Sequence, residues 1–236
     1  MHRLPPHLPL LALVFALFLN APAKDTTKAP PYFDPKAFDY AALLDPGPTK
    51  DQTNAEIDKV VQIQAAATNE QKANARKQEH YSVELFADIT GSWFKPGSEG
   101  RYQKTQTLIA RVNATASPII TAAKIHYDRL RPFQVSPKVK LGLEKAPDGK
   151  SYPSGHATAG TLHALVLAEL APELKDALKT RGEQIGDDRV VAGAHFPTDV
   201  EAGRKLGQAI FDKLEATPEF KSDLAAAQAE VQAQKK

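Results

Sequence analysis

The chain of 236 residues has no cysteine. That excludes disulfides and a lipid-attachment cysteine, so an exported form must hold together by packing alone. Charge of one sign is missing too: 30 Lys and Arg face 28 Asp and Glu, a formal net charge of +2. Such a balance gives no support for bulk nucleic-acid or anionic-membrane binding, and any basic cluster must be local. Long apolar runs are equally scarce. The one candidate, LPLLALVFALFLN, is short for a membrane span. Alternating strand patterns and internal repeats are absent.

That apolar run follows a single Arg and precedes the small residues APA. The order is the secretory signal pattern, with cleavage expected after Ala23 and a periplasmic or secreted product. The competing reading is an uncleaved N-terminal anchor. Removal of residues 1–23 leaves about 213 residues, enough for one domain with a substantial core. The net charge then falls to about +1.

Residues 24–50 are rich in Pro, Lys and Asp, and read as an extended arm that packs through Tyr32, Phe33, Phe38 and Tyr40. Residues 51–236 read as one helical domain. From Asp51 to about Phe86 the chain is rich in Ala, Gln and Glu and lacks Gly and Pro, which favours helix. ITGSWFKPGSEGR breaks it. A second helix is expected from about Arg101 to Leu130, kinked at Pro118 and ended by Pro132. Residues 133–152 form a connection long enough to suggest function or mobility. Helices follow at about 157–170, 173–187 and 198–216, with a polar tail helix from Pro218. Thr198 and Glu201 fit a capping box. Val200, Gly203, Gly207, Ile210 and Leu214 recur at helical spacing. The expectation is an all-α fold.

Three blocks carry chemistry. In AAKIHYDRLRPF, Lys124 and Arg131 lie seven apart, nearly two helical turns, so both are expected on one face. The ordinary alternative is an exposed salt-bridged face, with Asp128 pairing Lys124. In SYPSGH, Ser154 reads as an N-cap before a mostly apolar helix. The N–H groups of Gly155 and His156 at a helix start favour an anion, and His156 titrates near neutral pH. A plain cap with a surface His is the alternative. In DDRVVAGAHFPTDVEAGR, a bend at Gly193 brings Arg189 and His195 together, and Asp199 lies four after His195. A carboxylate there accepts the Nδ1–H of His195 and frees Nε2 as nucleophile or ligand. The alternative is a capping carboxylate beside a packed His.

Together the blocks supply Lys124, Arg131 and Arg189, two histidines, a helix N-terminus and an orienting Asp. Three cations suit a phosphate dianion. K-x6-RP, PSGH and R-x5-H-x3-D in this order resembles the signature shared by the type 2 phosphatidic acid phosphatases, the bacterial class A non-specific acid phosphatases and the vanadium haloperoxidases. AKIHYDRLRPF, SYPSGH and AGAHFPTDV look most like the class A acid phosphatases. The resemblance runs from about Tyr40 to the C-terminus, weakly before Ala122. It implies a single all-helical domain of the phosphatidic acid phosphatase/haloperoxidase kind. It also implies an exported acid phosphatase that hydrolyses phosphate monoesters through a phosphohistidine, without a metal or other cofactor. Lys124, Arg131, Arg189, Ser154 and the Gly155 N–H would then hold the phosphate. His195 would attack phosphorus, His156 would protonate the leaving alkoxide and activate water, and Asp199 would orient His195. Vanadate would act as an inhibitor. The class A relatives suggest a homo-oligomer.

The chain also departs from that pattern. Asp188 stands where the family usually has Ser, which would weaken phosphate affinity or steer Arg189. Lys150 replaces the usual Gly before SYPSGH, and the connection 133–152 lacks the frequent Cys pair. Ala157 follows PSGH as in some haloperoxidases, in which vanadate would sit on His195 as cofactor. Two further functions fit the same blocks. One is a soluble enzyme acting on lipid phosphates, since its integral-membrane relatives need several spans and no stable membrane insertion is expected here; the other is an exported phosphate-binding protein without turnover. His126 and His163 read as packing or surface histidines, although His156 and His163 share a helix face and with Asp199 form a conceivable metal set. Trp93, Phe133, Tyr152 and Phe196 read as pocket mouth or core. The sequon at Asn113 falls inside a helix.

Overall fold

Local capping decides where several helices of this chain begin. The computed structural model describes residues 29–98 and 100–235. The expected signal segment and the first arm residues lie outside that range. Among the described residues there are helices and no strand. They are α1 (Tyr40–Leu43), α2 (Lys50–Ala66), α3 (Asn69–Lys77), α4 (Ala87–Thr90), α5 (Gln103–Tyr127), α6 (Pro132–Val135), α7 (Gly155–Leu170), α8 (Lys175–Val191), α9 (Pro197–Glu215) and α10 (Pro218–Ala233). The fold is all-α, as expected.

The stretch expected as one helix over 51–86 is instead divided. Thr49 with Gln52 and Thr68 with Gln71 each build a complete capping box. The second box forces Ala67 into extended backbone and ends α2 there. Helix α5 passes through Pro118 and ends at Asp128, which takes a left-handed conformation at φ 47°. Pro132 therefore does not end α5. It is the first residue of α6, where its missing N–H costs nothing. The expected Thr198–Glu201 box is also corrected. Phe196 is the N-cap of α9, Pro197 follows it, and the Asp199 carboxylate accepts the Phe196 N–H at 2.8 Å. Glu201 pairs with Arg204 instead.

Helix α7 is apolar nearly all round and is the buried centre, packed against α8 and α9. Those contacts are backbone to backbone. A methyl on Gly182 would stand 2.7 Å from the Gly160 carbonyl oxygen. One on Gly203 would stand 2.5 Å from the Ser154 oxygen, and one on Gly207 2.6 Å from the Thr158 oxygen. Only glycine admits that approach. In the same hydrophobic core, α10 lies on α5. The arm is tied to both: Tyr32 N–H donates to Thr115, its hydroxyl to Asp223, and its ring lies under Arg111 and edge-on to Phe220. Phe33, Phe38 and Tyr40 join the same core.

Candidate active site

The glycine contacts fix where the second and third blocks meet. Ser154 caps α7, accepting from Ala157 N–H, and its own N–H donates to the Asp199 carbonyl at 2.8 Å. The start of α7 is thus bonded to the start of α9. A sharp return at Gly193, with φ 68°, lets the Arg189 carbonyl accept from Ala194 and His195 N–H groups. His195 therefore comes back beneath the end of α8.

His195 is 3 % exposed. Arg131 Nη1 lies 3.1 Å from its Nε2. A guanidinium only donates, so Nε2 carries the lone pair and Nδ1 the proton. Nδ1 stands 3.4 Å from both Asp199 Oδ2 and Ser151 Oγ. Burial holds the imidazole well below its ordinary range, the Asp199 bond opposes this, and Lys124 and Arg131 depress it further. His195 is neutral with Nε2 available, the state anticipated from its spacing to Asp199.

Asp199 is fully buried yet stays ionised. Burial alone would raise its pKa, but His195, Arg129 and Ser151 outweigh that and hold it below the usual carboxylate range. Ser151 Oγ donates to Oδ2 at 2.5 Å. Arg129 Nη1 donates to Oδ1 at 2.6 Å, while its Nη2 donates to Glu56 at 2.8 Å. The Arg129 guanidinium also lies 3.8 Å from the Phe196 ring centre. Glu56 in turn accepts from Thr198 N–H and Oγ1.

Lys124 and Arg131 do not share a helix face. Arg131 lies four residues past the end of α5, in the extended turn before Pro132. They still converge. Lys124 Nζ donates to the Lys150 carbonyl at 2.6 Å, and its Cε approaches Gly155. Arg131 donates to the carbonyls of Ala194, Gly149 and Asp148. Burial, then Arg131, lowers Lys124 to about 7, against the pull of Asp199. Burial lowers Arg131 to about 10. Asp128 does not pair with Lys124; it bonds Lys150 at 2.6 Å.

His156 Nε2 lies 2.8 Å from the Gln78 carbonyl oxygen. A carbonyl only accepts, so Nε2 carries the proton and the Nδ1 edge is left for chemistry. Burial, then Arg189, lowers His156 to about 3; Lys124 and Arg131 add to this against the Gln78 bond. Arg189, 1 % exposed, donates Nη1 to the same carbonyl at 3.2 Å, and its Nε has no hydrogen-bond partner among the described residues. Burial and then Arg131 lower it to about 10. Among the described residues Asp188 makes no ion pair with Arg189, although its charge acts on that guanidinium. Its carboxylate accepts from Gln78 Nε2 at 2.7 Å, and burial pushes it up to about 6.

All eight residues singled out from the blocks thus lie in one neighbourhood. The remaining candidates are packing groups. His163 is fully buried between Tyr81 Oη at 2.6 Å and Asn113 Oδ1 at 2.9 Å. With both nitrogens engaged it is no metal ligand. Among the described residues no group of three His, Cys, Asp or Glu is arranged to hold a metal ion. Trp93, Tyr152 and Phe196 are core residues, and Phe133 packs against the smaller core beside Phe196. Sequence reasoning missed Arg129, Ser151, Glu56 and Gln78. Ser151 and Arg129 stand inside the first two blocks; Glu56 and Gln78 have no local signal.

An all-helical domain with this three-block site defines a class, and comparison agrees. The PAP2 superfamily pattern matches residues 107–211, which contain every block. The chain is 30% identical over 220 residues to a non-specific acid phosphatase of Providencia stuartii, covering 86% of each protein. It is 36% identical over 148 residues to a non-specific acid phosphatase of Salmonella typhimurium (strain LT2), covering 60% of this chain but only 57% of that protein. Its fold is similar to a transmembrane PAP2 type phosphatidylglycerolphosphate phosphatase from Bacillus subtilis. There the TM-score is 0.53 at 22% identity, over 76% of this chain and 90% of that one. The chain belongs to the PAP2 superfamily. Among the described residues, no helix is long and apolar enough to cross a membrane.

Proposed function

We propose that this chain is an exported acid phosphatase that hydrolyses phosphate monoesters through a phosphohistidine on His195, without a metal. The observation that carries the reading is the neutral His195, whose Nε2 lone pair faces Arg131 while its Nδ1–H edge faces Asp199. The acid phosphatase names of its relatives point the same way.

Chemistry follows from the donors. The phosphate dianion takes up N–H bonds from Arg131, Arg189 and Lys124 and from the first turn of α7. Arg131 then turns its Nη1–H from Nε2 to a phosphate oxygen. Nε2 attacks phosphorus as the bond to the leaving oxygen breaks. That oxygen takes the proton from Nδ1 of His156, which the bound dianion keeps protonated. The imidazolium formed on His195 keeps its Nδ1–H toward ionised Asp199. In the second step His156 Nδ1 accepts a proton from water. The resulting hydroxide attacks phosphorus, the P–N bond breaks, and Nε2 regains its lone pair. The positive charge that would otherwise require a metal comes from the three cations and the helix start. Export rests on the basic, apolar and small-residue order of residues 1–23.

The test is turnover of p-nitrophenyl phosphate in excess EDTA, with rapid quench in alkaline denaturant and phosphate mapping. The expected result is full activity and acid-labile phosphate on His195. Activity restored only by added divalent metal, or label on another residue, overturns the mechanism. Peroxide- and vanadate-dependent halide oxidation without ester hydrolysis would make the chain a haloperoxidase instead.

A further inference from the structure

The histidine of the second block and the arginine of the third meet on an atom that belongs to neither. Gln78 is the residue that caps the C-terminus of α3. Its carbonyl oxygen accepts from His156 Nε2 at 2.8 Å and from Arg189 Nη1 at 3.2 Å. Its side chain turns the other way and donates Nε2 to Asp188 Oδ2 at 2.7 Å. Gln78 and Asp188 are 3 % and 4 % exposed. Asp188 immediately precedes Arg189 in α8, so the contacts close a ring. Carboxylate holds amide, carbonyl holds guanidinium, and the α8 backbone joins the two ends.

We propose that Gln78 and Asp188 act as a positioning pair that aims Nδ1 of His156 at the leaving-group oxygen. This rests on the phosphohistidine reading and adds a reason why His156 serves it from one nitrogen only. An imidazole at a helix start has two tautomers and a ring that swings about χ2. The Gln78 carbonyl selects the Nε2–H form and fixes the ring angle. The direction of that carbonyl is set in turn by the clamp on its side chain, a hydrogen bond out of water. Tyr81 gives a second restraint, edge-on to His156 with ring centres 5.7 Å apart, and is itself bonded to His163. The resemblance pattern has Ser at position 188. A serine hydroxyl ends one bond short of where Oδ2 meets the amide.

The experiment compares the single-turnover rate of leaving-group release from an alkyl phosphate, which needs protonation, with that from p-nitrophenyl phosphate, which does not. The ratio of the two is independent of the fraction of enzyme that is folded. Asp188→Leu removes the acceptor, and Gln78→Met removes the amide but keeps the carbonyl. Each should lower the alkyl-to-aryl ratio by roughly tenfold, within the range that general acid catalysis contributes. KM should change little. Asp188→Asn keeps an acceptor for the amide and should restore the ratio. Imidazole 15N spectra should show His156 as the Nε2–H tautomer in the wild type and Asp188→Asn, and as a mixture in Gln78→Met. An unchanged ratio in both disruptive variants, or a wild-type His156 protonated on Nδ1 alone, overturns the pair's role while the phosphatase reading stands. A wild type that hydrolyses neither ester removes the reading itself, and the proposal with it.

Discussion

Arg131 Nη1 lies 3.1 Å from His195 Nε2, on the lone pair that the proposed reaction uses. The same guanidinium holds three main-chain carbonyls, so its fork is fully oriented before any phosphate arrives. Lysine cannot reproduce that fork. Arg131→Lys should lower kcat/KM for p-nitrophenyl phosphate by about a hundredfold, as when one oriented oxyanion donor is lost. Steady-state kinetics checks this, and a loss below threefold would mean that position alone, not the fork, matters.

The two histidines should separate by step. p-Nitrophenolate departs easily, so losing the general acid should hardly slow the first step. Breakdown of the phosphoenzyme still needs an activated water. His156→Ala should therefore release about one equivalent of nitrophenol per site rapidly and then turn over slowly. With an alkyl phosphate the same variant should show no burst. His195→Ala should show none with either ester. Rapid-mix kinetics without a burst in His156→Ala would contradict the assignment.

Anion affinity should depend on pH through two groups. Burial, then Arg131, places free Lys124 at about 7, and burial, then Arg189, places free His156 at about 3. A bound dianion favours the charged form of each, so binding takes up protons. For Lys124, affinity should fall as pH rises above 7, where the free amine must be recharged on binding. For His156, affinity should grow as pH falls below the value it reaches in the complex, levelling off near 3. Sulfate stays a dianion across this range and is the suitable probe. Calorimetry should show about a tenfold change per pH unit for each full proton taken up. Lys124→Met should flatten only the alkaline limb. A wild-type affinity constant from pH 4 to 9 would refute the linkage.

Arg129 is a buried cation between two carboxylates, and removing it leaves Asp199 and Glu56 without the guanidinium that pairs both. Arg129→Met should destabilise the fold by about 3 kcal/mol or more, read by urea denaturation. It should also leave the Asp199 charge uncompensated, making His195 more basic. The acid limb of the pH–rate profile should then move to higher pH. A variant as stable as wild type with an unmoved limb would show the ion triad to be inert.

The helical blocks were legible because composition and punctuation agree with packing. The segment expected at 157–170 is found at Gly155–Leu170, and that expected at 198–216 at Pro197–Glu215. The misplaced cap on α9 came from choosing between two acids. Asp199 and Glu201 each lie near a possible start, and Pro197 at the first helical position decides for Asp199. The shared face of Lys124 and Arg131 failed because the left-handed turn at Asp128 has no strong signal. Asn and Asp tolerate that conformation without requiring it. Gln78 was hidden for a different reason. Its contact with His156 is made by a carbonyl, which nearly every residue type offers, and its side-chain partner lies 110 residues away.

The glycine contacts between α7, α8 and α9 also set limits on engineering. Exchanging helical glycine for alanine is a routine way to raise heat resistance, worth about 1 kcal/mol per site where space allows. At Gly160, Gly182, Gly203 and Gly207 the added carbon would meet main-chain oxygen at 3.0, 2.7, 2.5 and 2.6 Å. Main chain cannot step aside as a flexible side chain can. The Ser154 carbonyl that Gly203 touches belongs to the residue that opens α7, so a shift there would move the Gly155 N–H as well. A thermostabilised form of this protein has to draw its gains from outer helices and loops, leaving these four positions untouched.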